Sequence, residues 1–324
     1  MGNREEVRDS RPRADRRKWW NHREYEDSAQ HRRQGIPGHR GRALPEGRLS
    51  VHVGIQLRWS DLDAQGHVNN ARVADYLQEA RVHLVADSGL LEHGVVVVGH
   101  QVIYRKPIEY SAEPLDVELG VTLMGAAKLE VGYELRQRDE VVAEARSQLA
   151  AFDFGEQRPR RLSPTMRAHF EQHRVGWGAF PELAAPAIGR RGLRTLHQTR
   201  WSDLDRYGHV NNVLSFEYLQ QARVEVSPQW EPTMARTGSG DARHVWLVVR
   251  QDVDYLAQIQ HSFAPLEVFT APVRVGTSSI TSVGEVYAPT GELLARGRTV
   301  VVCADRQLKP TPVPNRARIE QFLV

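Results

Sequence analysis

Several features are scarce or missing in this sequence. Cys303 is the only cysteine among 324 residues, which excludes an internal disulfide. The lack of histidines clustered around it argues against a structural zinc site. No apolar run approaches the roughly 20 residues that cross a bilayer, and the first 20 residues contain no apolar stretch typical of a signal peptide. We therefore expect a cytoplasmic protein with no membrane partner and no metal.

The excess of positive charge is confined to one end of the chain. Residues 1–50 hold 13 Lys and Arg against 8 Asp and Glu, whereas the remainder holds 30 against 32. The same segment is poor in aliphatic side chains, so it cannot bury enough apolar surface to offset its chain entropy. We predict a disordered basic tail over residues 1–49, and we do not expect nucleic acid as its partner.

The sequence contains one unit twice. The stretch "RWSDLDAQGHVNNARVADYLQEAR" (58–81) returns as "RWSDLDRYGHVNNVLSFEYLQQAR" (200–223), with 16 of 24 positions identical. Weaker similarity continues downstream at offsets of 151 and 152, and the second copy has about nine extra residues after its helix. A period near 145 residues is too long for a solenoid and indicates a duplicated domain. The predicted organisation is a tail (1–49), domain 1 (50–158), a linker with a short helix at about 164–173 (159–194), and domain 2 (195–324).

Each copy has the same predicted order of elements. A short strand ends in Arg-Trp, an acidic loop follows, and then a helix with one apolar face formed by Val73, Leu77, Ala80 and Leu84. The predicted helices run from about 70 to 87 and from about 212 to 226, the second ending before Pro228. Turns are predicted at Asp139-Glu140 and at 289–291. The predicted strands that follow each helix are 95–105, 114–124, 127–138 and 141–154, then 244–257, 265–275, 278–288 and 292–304. One helix followed by antiparallel strands predicts an α+β fold, a curved sheet wrapped round a single helix.

The repeated loop holds the groups that acyl transfer to water requires. A carboxylate can attack a carbonyl or activate water, and a helix start offers N–H groups that polarise the carbonyl. Gly66 and Gly208 allow positive φ or close approach of the backbone to a ligand. We predict catalysis by Asp63 and Asp205. His67 and His209 either orient water or substrate or hold the loop in place.

Other residues of the motif have simpler expected roles. We expect Asn70 and Asn212 to cap the helices, and Asp61 and Asp203 to be structural because one carboxylate per loop is sufficient for hydrolysis. Trp59 and Trp201 are predicted to lie in the core. Arg81 and Arg223 are predicted to bind a carboxylate or carbonyl of the fold.

Taken whole, the motif resembles the signature of hotdog-fold acyl-thioester hydrolases of the 4-hydroxybenzoyl-CoA thioesterase-like superfamily. Those proteins typically read Arg-x-x-Asp-x-Asp-x-x-Gly-His-x-Asn-Asn before a helix ending in Ala-Arg, as both copies do. The resemblance covers about residues 50–155 and 195–305. It implies two hotdog units that pair within the chain, as in plant acyl-ACP thioesterases, with active sites between them and no cofactor. Further self-association stays open.

The resemblance also implies roles for individual residues. The second Asp of the motif is the family's usual nucleophile or general base, which is Asp63 or Asp205 here, and in the plant enzymes the following His takes part in catalysis. Residues expected to bind substrate, donate to an oxyanion or support the loop are Gln65, Gly66, Asn69, Asn70, Glu79, Tyr207, Gly208, Asn211 and Asn212. Arg105 and Lys106 are candidate contacts for CoA phosphates, although exposed strand charges are the commoner case.

Two departures from the family pattern affect the predicted function. The plant enzymes carry Asn two residues after the catalytic Asp, where this chain has Gln65 and Tyr207, and the second copy lacks a counterpart of Glu79. We predict an acyl-CoA or acyl-ACP thioesterase with two working sites. The alternatives are a hotdog acyl-CoA-binding sensor without catalysis and a hotdog 3-hydroxyacyl-thioester dehydratase.

Overall fold

The strands of the two copies form one sheet. A computed structural model of the chain describes residues 50–235 and 244–324, so the predicted tail at 1–49 lies outside the described residues. In the first half the strands are β1 (Val51–Ile55), β2 (Val95–Tyr104), β3 (Leu115–Met124), β4 (Lys128–Gln137), β5 (Glu140–Asp153) and β6 (Arg158–Pro159). In the second half they are β7 (Leu193–His197), β8 (Val245–Tyr255), β9 (Leu266–Val275), β10 (Ser279–Tyr287) and β11 (Leu293–Ala304).

The two halves have the same strand order, and they join where β2 of the first half pairs with β8 of the second half. The path runs β1-β3-β4-β5-β2-β8-β11-β10-β9-β7, every neighbouring pair is antiparallel, and β6 adds to β5 outside this path. Strands β2 and β8 pair in a register that places Gln101 opposite Asp252 and His100 opposite Val253. The duplicated unit therefore pairs with itself inside one chain.

One long helix in each half packs on the sheet. The helices are α1 (Arg72–Val85), α2 (Leu90–His93), α3 (Pro164–Gln172), α4 (Leu214–Trp230) and α5 (Arg316–Glu320). The predicted apolar face of α1 is buried, because Val73, Leu77, Ala80 and Leu84 each have at most 1% of their surface exposed. These observations confirm the predicted α+β class, and the predicted short helix is α3, which begins after the N-cap Ser163. The exact domain boundaries stay a prediction.

The apolar core is continuous between the halves. A single cluster of buried side chains includes Leu77 of α1 and Phe216 of α4 together with residues of both parts of the sheet. The two helices are also joined by an ion pair in which Arg72 Nη1 lies 2.7 Å from Glu217 Oε1. None of the helices in the described part of the chain has the length and apolar character needed to cross a bilayer.

Several local predictions need correction. Helix α1 is shorter than predicted, and its C-terminal end continues as a 3-10 turn over Ala86–Ser88. Helix α4 does not stop before Pro228 but passes through it to Trp230. Pro removes one helical hydrogen bond, but Val226 and Trp230 on either side of it are buried. Burying such side chains contributes about 1.5–3 kcal/mol each, which stabilises the last turn.

The sequence also misplaced two tryptophans and one turn. Trp59 and Trp201 are 74% and 79% exposed, not part of the core, because each begins a 3-10 turn that leaves the edge of the sheet. The turn between β4 and β5 is formed by Arg138 and Asp139, both with positive φ, so Glu140 already belongs to β5. The predicted turn at 289–291 is confirmed.

Candidate active site

The repeated loop is a tight hairpin in both copies. In the first copy Leu62 pairs with Val68, and Asp63 N donates to His67 O at 2.7 Å. The hairpin closes at Gly66, whose φ of 84° lies in the region that favours glycine. The second copy repeats this geometry with Leu204 opposite Val210, a 2.8 Å bond from Asp205 N to His209 O, and a φ of 78° at Gly208.

The first Asp of each motif ties the loop to the following helix. Asp61 Oδ2 accepts a hydrogen bond from Arg58 N at 3.0 Å and another from the Tyr76 hydroxyl at 2.8 Å. Burial, together with the bond to Asp61, raises the pKa of Tyr76, so its hydroxyl stays a donor. Asp203 makes the same contacts with Arg200 and Tyr218 in the second copy. The expected structural role of this carboxylate is confirmed.

The second Asp uses one of its oxygens to shape the hairpin. Asp63 Oδ1 accepts from Gln65 N at 2.8 Å and from His67 N at 3.3 Å. Asp205 Oδ1 accepts from Tyr207 N and His209 N at the same two distances. Within the described residues, Oδ2 of either carboxylate has no hydrogen-bond partner. Each loop therefore holds a fixed, half-buried carboxylate with one oxygen available for other contacts.

An open cleft of about 600 Å³ lies at the first loop. Asp63, Gly66 and His67 line it, with Trp59 and Tyr110 forming an aromatic edge in which the ring centroids are 5.6 Å apart. The structure thus brings together three of the predicted residues of the first copy. Gln65, Asn69 and Asn70 are not among the residues that line this cleft.

The helix starts are not capped by the predicted asparagines. Ala71 is the N-cap of α1, and the side chain that helps it is Asn69, whose Oδ1 accepts from Ala71 N at 3.0 Å. An equivalent bond of 3.4 Å joins Asn211 Oδ1 to Val213 N in the second copy. Asn70 and Asn212 instead each have a backbone N–H without an acceptor in the described part of the chain. Those two N–H groups are free to donate to a ligand.

Residues of both repeats meet at each helix start. The Tyr104 hydroxyl lies 2.9 Å from Asn70 O and 2.8 Å from Gln251 Oε1, which belongs to β8 of the other repeat. At the second helix start the Tyr255 hydroxyl donates to Asn212 O at 3.0 Å. There the residue of the other repeat is His100 of β2, whose Nε2 lies 3.2 Å from Asn212 Nδ2. Both helix starts are therefore composite, as pairing of the repeats implied.

The loop of the second copy is covered by the first repeat. The ring of Phe154 stacks on Tyr207 with centroids 4.7 Å apart and on His209 at 5.8 Å. The Tyr207 hydroxyl donates to Leu91 O at 3.0 Å. At the position of Tyr207 the first copy carries Gln65, so the two loops differ in their aromatic content.

The remaining predicted residues lie away from the loops or are paired. Arg105 and Lys106 follow β2 instead of lying within it, and they form ion pairs with Glu144 and Glu140 at 2.6 Å. Glu79 lies on the exposed side of α1. Arg81 binds the fold as expected, but its partners are the Tyr133 and Ser147 hydroxyls at 3.3 and 3.4 Å, not a carboxylate or carbonyl. Burial lowers the pKa of Arg223, its counterpart, to about 10.

Sequence reasoning missed the polar residues between the repeats. The same offset of 151 that aligns the downstream strands pairs Tyr104 with Tyr255 and His100 with Gln251. A polar side chain in the middle of a strand, four residues before a tyrosine in both copies, was the signal that could have identified them. No group of three or more metal-ligating side chains occurs among residues 50–235 and 244–324.

The family model described as the thioesterase-like superfamily matches this chain twice, over residues 57–170 and 199–320. Together these segments make up more than two thirds of the sequence, and each contains one copy of the loop and its helix. The chain belongs to the thioesterase-like superfamily. The suspected family is thereby confirmed, and the paired halves of the sheet are two thioesterase-like repeats.

Solved structures support the tandem hotdog fold of these thioesterase-like repeats. The 12:0-ACP thioesterase from Umbellularia californica aligns with a TM-score of 0.64 at 12% identity, over 78% of this chain and 94% of that chain. An acyl-ACP thioesterase from Bacteroides thetaiotaomicron aligns with a TM-score of 0.58 at 15% identity, over 78% and 96%. At these identities the likeness concerns the fold.

A curated relative matches a shorter segment. The uncharacterized protein YsmA from Bacillus subtilis is 29% identical over 82 residues, which are 25% of this chain and 52% of that protein. The chain thus spans about half the length of the curated relative it matches. The segment is short enough to fall within a single thioesterase-like repeat.

Proposed function

We propose that the protein hydrolyses acyl thioesters, either acyl-CoA or acyl-ACP, to a free carboxylic acid and a thiol. The observation that carries this proposal is the second Asp of each motif. Its Oδ1 is held by two backbone N–H groups of the hairpin, while Oδ2 is left unshared within the described residues. In a chain that belongs to the thioesterase-like superfamily, a carboxylate fixed in this way is suited to act on a carbonyl carbon or on water.

The proposed reaction begins at Oδ2 of Asp63 or Asp205. This oxygen either takes a proton from water as the water oxygen bonds to the carbonyl carbon, or bonds to that carbon itself. In both cases the carbonyl oxygen becomes an oxyanion, which the free N–H of Asn70 or Asn212 stabilises. Collapse of the tetrahedral intermediate breaks the carbon–sulfur bond and releases the thiolate. In the covalent route a water molecule then hydrolyses the acyl-aspartate.

The carrier of the acyl chain is left open between CoA and acyl carrier protein. Two solved structures of the same fold are acyl-ACP thioesterases, which favours testing the protein carrier. Arg105 and Lys106 are proposed contacts for CoA phosphates, but each already pairs with a glutamate. A phosphate would have to replace Glu144 or Glu140 as their partner.

The decisive experiment measures thiol release from acyl-CoAs and acyl-ACPs of short to long chain. Turnover of one chain-length range well above the rate without enzyme is expected. Tight binding of acyl-CoA without release would instead identify a sensor. Hydration of a 2-enoyl thioester without hydrolysis would identify a dehydratase. Either of these two results would overturn the proposal.

A further inference from the structure

The two helix starts differ in one buried residue of the opposite repeat. At the start of α4 that residue is His100, which is 1% exposed, and at the start of α1 it is Gln251, which is 2% exposed. The two positions correspond in the repeat, and both side chains lie on the paired strands β2 and β8. His100 contacts Asn212 directly, whereas Gln251 contacts Tyr104, whose hydroxyl lies 2.9 Å from Asn70 O, so this difference distinguishes the two proposed sites.

The contacts of His100 determine which of its nitrogens carries the proton. Asn212 Nδ2 lies 3.2 Å from His100 Nε2, and an amide nitrogen can only donate. Nε2 must therefore accept, so the proton is on Nδ1, which lies 2.8 Å from Ser147 Oγ. Burial and then the positive charge of Arg81 hold the pKa of His100 well below its ordinary value, so the ring is neutral as this arrangement requires.

The chain of contacts extends back to the signature of the first repeat. Arg81, the last residue of that signature, donates to Ser147 Oγ at 3.4 Å, and Ser147 is the partner of His100. The His100 ring also packs edge-on against Phe216 in the first turn of α4 and against Tyr255, with centroids 5.8 Å apart in both cases. The ring is thus held by Ser147, Phe216 and Tyr255, with its Nε2 directed at Asn212.

We propose that His100 is a positioning residue for the site at Asp205, where it fixes the side-chain amide of Asn212 through the bond from Nδ2 to Nε2. One N–H of that amide is then committed to His100, and the Tyr255 hydroxyl is its other side-chain contact. The amide is thereby held in one orientation beside the backbone N–H of Asn212, which is available to the substrate carbonyl. This inference rests on the proposed thioester hydrolysis.

The first helix start lacks this arrangement. Gln251 Oε1 accepts from the Tyr104 hydroxyl at 2.8 Å, and the Asn70 side chain makes no hydrogen bond among residues 50–235 and 244–324. Asn70 is therefore not oriented by the opposite repeat as Asn212 is. The two sites are expected to differ in turnover number, with the site at Asp205 depending on His100.

The test uses the Asp63→Asn variant as background, so that only the site at Asp205 contributes to hydrolysis of the best acyl thioester. In this background the side chain of the His100→Asn variant still places a polar atom near the position of Nδ1, which faces Ser147. It has no acceptor at the position of Nε2, which faces Asn212. We expect kcat to fall by about 10-fold to 100-fold with KM changed less than about 2-fold, because misplaced catalytic groups act on the transition state. His100→Gln restores an acceptor near the Nε2 position and should recover kcat to within about 3-fold of the background.

Two further variants separate positioning from general damage. Gln251→Asn makes a similar change at the other helix start. In the same background it should leave kcat within about 2-fold, because the contact of Gln251 is with Tyr104 at the start of α1, where the site is already inactivated by Asp63→Asn. Asn212→Ala should lower kcat, and adding His100→Asn to it should have little further effect, because the amide that His100 positions is gone. Thermal unfolding identifies folded variants. If His100→Asn does not fold, Asn212→Ala alone in the Asp63→Asn background decides the question, because a kcat equal to that of the background would overturn the inference.

The outcomes are distinguishable from failure of the proposed function. If the wild type hydrolyses no thioester, the proposed function fails and this inference fails with it. If the wild type is active but the Asp63→Asn variant is not, the site at Asp205 does no work and the inference alone is overturned. Equal kcat for His100→Asn and its background, or a change in KM without a change in kcat, would also overturn it.

Discussion

Replacing the second Asp of each motif by Asn should separate catalysis from the structure of the loop. In Asp63→Asn the amide oxygen can still accept from Gln65 N and His67 N, which lie 2.8 and 3.3 Å from Oδ1 of the carboxylate. The hairpin should therefore keep its shape, and the free energy of unfolding should change by less than about 0.5 kcal/mol. The oxygen that we assign to catalysis becomes an amide nitrogen, which can neither attack a carbonyl nor take a proton.

The expected loss of activity follows from the number of sites. Loss of a general base or nucleophile costs about 10²-fold to 10⁴-fold in the rate of its own site. Each single variant, Asp63→Asn or Asp205→Asn, should therefore retain only the activity of the other site. The two residual kcat values should add up to that of the wild type if the sites act independently, and the double variant should lose at least about 100-fold.

The Ala variants provide the matched structural control. Asp63→Ala leaves two backbone N–H groups without their acceptor, at about 1 kcal/mol for each lost hydrogen bond. For a chain of this size the entropy of unfolding is about 0.6 kcal/mol/K near 60 °C, so a loss of about 1–2 kcal/mol corresponds to a fall in Tm of about 2–3 °C. The assays are thiol release under saturating substrate and thermal unfolding followed by circular dichroism. A folded Asp63→Asn/Asp205→Asn double variant with more than about a tenth of wild-type kcat would refute the catalytic assignment.

Three other substitutions test separate parts of the structure. Glu285 is fully buried and accepts hydrogen bonds from Tyr287 and Arg296 at 2.7 and 2.8 Å. Burial raises the pKa of the Glu285 carboxyl, but these hydrogen bonds and the charge of Arg296 outweigh burial and hold the pKa below its ordinary value. The stabilisation by the ionised Glu285 is therefore present above pH of about 4 and is lost as the pH falls further. Glu285→Gln should lower the free energy of unfolding by about 3 kcal/mol at pH 7, measured by urea unfolding, and by less in acid. A difference between wild type and variant that does not change with pH would contradict this. Phe154→Ala removes the ring stacked on Tyr207 and should lower turnover in the Asp63→Asn background but not in the Asp205→Asn background; equal losses in both would contradict it. Trp59→Ala should leave the free energy of unfolding within about 0.5 kcal/mol, because the side chain is exposed, and should raise KM in the Asp205→Asn background, since Trp59 lines the cleft with Asp63.

Contacts between neighbouring residues explain where sequence reasoning about the site was right and where it failed. The role of Asp61 was predictable because its partners, Arg58 and Tyr76, lie within the same short motif. The predicted asparagine caps were wrong, since Ala71 is the N-cap of α1 and the side chain that accepts from its N–H is that of Asn69, not Asn70. Helix ends depend on one hydrogen bond, and a run of two asparagines does not specify which of them makes it.

The sequence by itself determined the duplication, the class of fold, the strands of each unit and the loop that carries the carboxylates. These features depend on local patterns that repeat at a constant offset, and alternating or helical periodicity specifies an element without reference to the rest of the chain. The resemblance of one continuous motif to the signature of a known family pointed to the family, which the matching family model confirms.

Only the tertiary structure decided which residues of one repeat complete the site of the other. His100 and Asn212 are 112 residues apart in the chain and meet because β2 pairs with β8. The exposure of Trp59 and the passage of α4 through Pro228 were decided in the same way, by what surrounds each side chain after the repeats have paired. Pairing across a long separation depends on the summed burial of a whole interface, which no short stretch of sequence encodes.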